Sequence, residues 1–126
     1  MTDEITLTIP SERALYGVAH LVLGGLGSRL NLTIEHLEDL QIALEAVLDR
    51  ARDGEDVTIA LRLEEGAMQT RIGPMNDGIR AEFEQESGED VGLRRILDAV
   101  VDDVEVESDD RGDWVRLTKA VEGEAT

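Results

Sequence analysis

Apolar residues at Ile34, Leu37, Leu40, Ala43, Leu44, Val47, Leu48 and Ala51 recur at the three-and-four spacing of one helical face. The spacing predicts a central helix within Thr33–Asp53. Thr33 stands just before the first apolar position, where its hydroxyl can accept a free backbone N–H. His36 occupies the place where a capping box would have Glu, so only half of the box is present. Asp53-Gly54 closes the predicted helix, with Gly54 suited to a left-handed cap.

Upstream, Ile5, Leu7 and Ile9 alternate with polar residues, which predicts a strand ending at Pro10. Ser11 is placed to cap a following helix, with Glu12 and Arg13 in its first turn. From Ala14 to Leu26 the chain is apolar almost throughout, and Gly24, Gly25 and Gly27 are expected to end this helix. The stretch is short of the roughly 20 residues that span a bilayer. A helix apolar around most of its circumference needs cover on more than one side. The sheet can supply one side; a second subunit, or an interior position, supplies the other. His20 reads as a packed or partly exposed residue, since no second ligand stands at metal-binding spacing.

Downstream, Val57, Ile59, Leu61 and Leu63 alternate, then Met68, Thr70 and Ile72, separated by Glu64-Glu65-Gly66. This predicts an antiparallel hairpin with one buried face. Periodicity fails from Gly73 to Asp90, which reads as a long lid-like loop with one short helical turn around Ile79–Phe83. A third helix is expected over Val91–Val101, with Leu93, Ile96, Leu97, Val100 and Val101 inward. Val104 and Val106 open a strand, Asp109-Asp110-Arg111-Gly112 turns the chain, and Trp114, Val115 and Leu117 close the sheet. An acidic tail follows from Glu122. The order is β-α-α-β-β-loop-α-β-β. The expected fold is α+β, a two-layer sandwich with helices on one face of a mixed, mainly antiparallel sheet, as a single domain over 1–126.

Composition narrows the function. The chain holds 29 acidic and 12 basic residues, a net charge of −17, so direct contact with a nucleic-acid backbone is disfavoured and a basic protein partner is attracted. The same acidity also serves solubility or a salty habitat. There is no Cys, which fits a reducing cytoplasm and excludes cysteine-ligated metal. The first residues, MTDEIT, lack the basic start and apolar run of a signal peptide. No Ser, Cys or His stands in a nucleophile–base arrangement.

The order of elements, with the wording of the central and last helices, resembles the histidine-kinase/Hsp90-like ATPase (Bergerat) fold, in its anti-sigma factor and serine-protein kinase branch. Members of that branch carry a phrase like E-A-V-x-N-A-x-x-H on the central helix. Here it reads Glu45-Ala46-Val47-Leu48-Asp49-Arg50-Ala51-Arg52-Asp53, with Asp49 at the asparagine position and Asp53 at the histidine position. The family's D-x-G-x-G after a strand is reduced to Asp77-Gly78 in Arg71-Ile72-Gly73-Pro74-Met75-Asn76-Asp77-Gly78. Its later G-x-G-L appears as Asp90-Val91-Gly92-Leu93, with Gly88 as a further glycine, and Trp114-Val115-Arg116-Leu117-Thr118-Lys119 matches the closing strand.

The resemblance implies a Mg-ATP site in which Glu45 is the catalytic base and Asp49 holds Mg²⁺, the two lying on one helical face. Asp77, Gly78, Gly92 and Leu93 would then contact the nucleotide. The departures act against it: Asp49 and Asp90 add negative charge beside the phosphates, and the adenine-binding phrase is eroded. Two functions follow from different classes. One is a regulatory protein-interaction domain resembling an anti-sigma factor, a homodimer with a sigma factor or anti-anti-sigma protein as partner, and with ATP binding lost or weakened. The other is an active ATP-dependent serine-protein kinase that phosphorylates an antagonist protein. Neither reading involves membrane or direct nucleic-acid contact.

Overall fold

Alternation and turn chemistry set the sheet. The computed structural model describes residues 4–30, 32–84 and 92–121. Strands β1 (Glu4–Pro10), β2 (Asp56–Glu64), β3 (Ala67–Gly73), β4 (Asp103–Asp109) and β5 (Gly112–Ala120) form one five-stranded sheet in the order β1-β2-β3-β5-β4. The sheet expected to be mainly antiparallel is antiparallel at all four pairings. Glu65 and Gly66 form the two-residue link between β2 and β3, both at positive φ (52° and 79°), the backbone that matches strand twist in a tight hairpin.

Register puts every alternating apolar set on one face. Leu7 pairs with Ile59, Ile59 with Ile72, and Ile72 with Val115, so a single band crosses four strands. That band meets the buried sides of the helices in one continuous core, including Leu23, Leu40, Leu44, Val47, Leu93 and Leu97. The helices are α1 (Tyr16–Leu30), α2 (Ile34–Leu48), α3 (Ile79–Glu84) and α4 (Leu93–Val100). On the opposite face, Arg71 pairs with Glu107 and Asp109, and Arg116 with Glu105 and Glu107. The two-layer α+β architecture is therefore the expected one.

The ends of the helices depart from the sequence reading. Ser11 does not cap: its N–H donates to the Glu55 carbonyl at 3.0 Å, continuing the β1–β2 pairing, and a short 3₁₀ turn (Arg13–Leu15) precedes α1. Gly24, Gly25 and Gly27 do not end α1, which continues through all three to Leu30. Gly27 is where α1 crosses α2; a Cβ there would lie 2.6 Å from Leu37 Cδ2. Helix α2 stops at Leu48, not at Asp53-Gly54. Its last residues tighten, with Arg50 and Ala51 donating to the carbonyls of Val47 and Leu48, and Ala51 then bridges Met75. Gly54 keeps its positive φ (77°) in the turn that follows.

The Thr33 cap forms as expected, its Oγ1 accepting from the His36 N–H at 3.0 Å. The short helix expected near Ile79–Phe83 is α3. The last helix begins at Leu93; Val91, Gly88, Asp90 and the tail from Glu122 lie outside the described residues.

Candidate functional site

The C-terminal end of α2 is where the chemistry-bearing residues of the first half converge. Glu45 lies on the last turn and Asp49 is the C-cap, its N–H donating to the Glu45 carbonyl at 3.1 Å. The two carboxylates therefore share one side of the helix end, as their spacing predicts. Helix α1 runs antiparallel against α2, and this brings three partners to them. Arg13 reaches Asp49 Oδ1 at 3.1 Å and Glu45 Oε1 at 3.7 Å. The Tyr16 hydroxyl donates to the same Asp49 Oδ1 at 3.0 Å. His20 Nε2 stands 3.7 Å from Glu45 Oε2.

Tyr16 records the environment. Burial and the hydrogen bond to the Asp49 carboxylate, with that carboxylate's charge, push its hydroxyl up to about 12, and Arg13 opposes them. Arg13 and Tyr16 were not singled out by sequence, because they meet Asp49 only when helices 33–36 residues apart in the chain are packed together.

A second cluster lies beyond the helix end. Arg50 turns back to the Ala46 carbonyl (2.9 Å) and grips Glu82 of α3 with Nε and Nη2, at 3.1 and 3.0 Å. The Asn76 N–H donates to the Arg50 carbonyl, and Arg52 Nε donates to the Met75 carbonyl. An open groove of about 500 Å³ results, lined by Arg52, Asp53, Glu55, Asn76 and Asp77. Asp77 is fully exposed, with Arg52 3.8 Å away. The Gly78 N–H closes a turn on Asn76 Oδ1 at 3.0 Å.

The last pair of predicted residues sits at the start of α4. Gly92 is an extended N-cap with open space where a Cβ would stand. Leu93 is wholly buried and belongs to the core. Among the described residues, no side-chain hydrogen bond or ion pair joins Glu45 or Asp49 to Asp77, Gly78, Gly92 or Leu93.

Among the described residues, the cluster at the end of α2 is closed on itself by internal partners. Asp49 Oδ1 already accepts from a guanidinium and a phenol. The groove beyond the helix end has three carboxylates and one arginine among its lining residues. Among the described residues no three His, Asp or Glu side chains converge as metal ligands. What the carboxylate pair does do is fasten α1 to α2 through Arg13 and Tyr16.

No family model matches the sequence. Curated proteins do. The serine-protein kinase RsbW of Listeria innocua serovar 6a is 28% identical, over 96% of this chain and 89% of its own. Its counterpart from Listeria monocytogenes serotype 4a is 27% identical with the same coverage. The Bacillus pumilus protein of the same name is 34% identical over a shorter stretch, 48% of this chain and 41% of its own. These relatives, with the two-layer α+β architecture, bear out the resemblance to the anti-sigma factor and serine-kinase branch.

Proposed function

We propose that this chain is a regulatory protein-interaction domain of the anti-sigma type, acting in the cytoplasm, whose nucleotide binding is lost or weakened. The observation that carries the reading is the occupation of Asp49. A family asparagine is neutral and open to a metal; here the acidic replacement is held by Arg13 and Tyr16. The Arg13 guanidinium then offsets, at the surface, the charge that Asp49 introduced. Glu45, 3.7 Å from both Arg13 and His20, is a member of this cluster rather than a free base.

What supports a protein partner is the retained shape together with the net charge of −17, which attracts a basic surface. A sigma factor or an anti-anti-sigma protein fits that description. Self-association through α1 is the alternative arrangement, and sedimentation reads it directly. No helix among the described residues is long and apolar enough to cross a membrane.

The test is thermal unfolding and calorimetry with Mg-ATP and Mg-ADP. A ligand at 100 times its dissociation constant adds about 2.7 kcal/mol of stability. We expect no shift at millimolar nucleotide. A clear shift would overturn the reading and favour the serine-kinase alternative, in which Glu45→Ala abolishes phosphate transfer while the fold survives.

A further inference from the structure

The outer side of the α1–α2 layer carries apolar side chains that nothing in the fold covers. On α1, Leu21 is 77% and Val18 39% exposed; on α2, Ile34 is 74% and Ile42 50% exposed. The two stripes lie side by side, since the helices run antiparallel with His20 against Glu45 and Gly27 against Leu37. Isolated exposed apolar residues are ordinary, but Val18 and Leu21 on α1 stand beside Ile42 on the adjacent α2, with Ile34 farther along the pair.

The surroundings of the patch say what would cover it. On α2 the isoleucines alternate with acids along one side: Ile34, Glu38, Ile42, Glu45, at helical spacing, with Glu35 beside them. Helix α2 contains no Lys or Arg. Among the described residues, no cation lies within ion-pair distance of Glu35 or Glu38, while Glu45 shares Arg13 with Asp49. On α1 the exposed side is smooth. Gly17, Gly24 and Gly25 have open space where a Cβ would stand, so no internal contact demands glycine there. Glycine within a helix costs up to about 1 kcal/mol relative to alanine, and here its local effect is to let another backbone approach closely.

We infer that this face docks an amphipathic basic helix of a partner protein, its apolar side on Leu21, Val18 and Ile42 and its Lys or Arg side chains on Glu35 and Glu38. The inference rests on the protein-interaction reading above and names the surface. Charge decides among occupants. A second copy would set acidic stripe against acidic stripe on chains each carrying −17, and an anionic lipid or nucleic-acid surface is repelled in the same way. A helix with basic flanks gains from both the apolar anchors and the unpaired carboxylates.

The experiment uses a labelled synthetic helix with leucines on one side and lysines on the other, and a matched peptide with glutamates for lysines. Fluorescence anisotropy at low and moderate salt reads binding to the full chain. The lysine peptide should bind and the glutamate peptide should not. Leu21→Ser should weaken binding about tenfold or more, the loss expected on removing one buried leucine anchor. Glu38→Gln should weaken it and flatten its salt dependence. Glu65→Gln, on the distant β2–β3 turn, should leave it unchanged. Both exposed-site variants are checked for an unaltered melting temperature.

Equal losses from Glu38→Gln and Glu65→Gln, or no effect of Leu21→Ser, would reduce the binding to unspecific charge attraction and overturn the inference. So would a wild-type dimer in sedimentation that Leu21→Ser disperses, since the face would then belong to a second copy. The peptide assay contains no nucleotide, so a nucleotide-induced thermal shift would overturn only the nucleotide part of the functional reading.

Discussion

Tyr16 is the single tyrosine of the chain, so its ionisation can be followed alone, by the tyrosinate absorbance in the near ultraviolet. The side chain is buried and its hydroxyl donates to Asp49 Oδ1, which together raise it from 10.0 to about 12. Folding therefore favours the protonated phenol. Between pH 10 and 12 the unfolded chain has lost this proton and the folded one keeps it. The stability contributed by Tyr16 is thus fully present below pH 10 and is lost as pH rises through 12. A full shift of that size corresponds to about 1–3 kcal/mol, since one unit of pKa is about 1.4 kcal/mol. Two measurements check it. In native protein the absorbance should rise with a midpoint near pH 12, and in denaturant near pH 10. The urea midpoint of the wild type should fall more steeply than that of Tyr16→Phe across this interval, the difference between them isolating the phenol. A native midpoint near pH 10 would refute the reasoning, because a phenol that is both buried and bonded to Asp49 cannot titrate like a free one. The Tyr16–Asp49 bond would then not exist in solution, and Arg13 alone would hold Asp49.

Two further outcomes follow from packing. Gly73→Ala would place a Cβ 2.6 Å from the ring of Trp114, the only tryptophan, so it should destabilise the domain by about 1–3 kcal/mol and alter the tryptophan emission. Unchanged stability would show that the ring moves aside without cost. Arg50→Ala removes the two-pronged grip on Glu82 and should lower stability by about 1 kcal/mol, with faster amide exchange concentrated in α3. A uniform change across the sheet would assign the effect to α2 instead.

The sheet was legible in the sequence because its signal is local. Val57, Ile59 and Leu61 declare their buried side by alternation alone, and a two-residue turn at Glu65-Gly66 fixes the register. The interior of α2 was legible for the same reason. Its end was not: Ala51 continues the apolar rhythm, but it is buried by bridging Met75, a contact that no helical pattern contains. The glycines of α1 misled in the opposite sense. Glycine is a poor helix former, yet Tyr16, Ala19 and Leu23 anchor the helix to the core, and tertiary burial outweighs local propensity. At the candidate site, the Glu45–Asp49 spacing could be read from the chain, whereas Leu93 is identified as a core residue only once the sheet it packs against is present. Arg13 carried no signal at all, being one of the arginines of an acidic chain until α1 folds back on α2.

The strand order leaves the sheet two unlike borders. At one, β4 presents Asp103, Glu105, Glu107 and Asp109 on alternate positions, so a second strand aligned there would stack carboxylate on carboxylate along its whole length. At the other, β1 offers threonines, an exposed Ile5 and a terminal proline. Protection against fibrillar growth is thus one-sided: it is written in charge along β4, and along β1 it is left to Pro10.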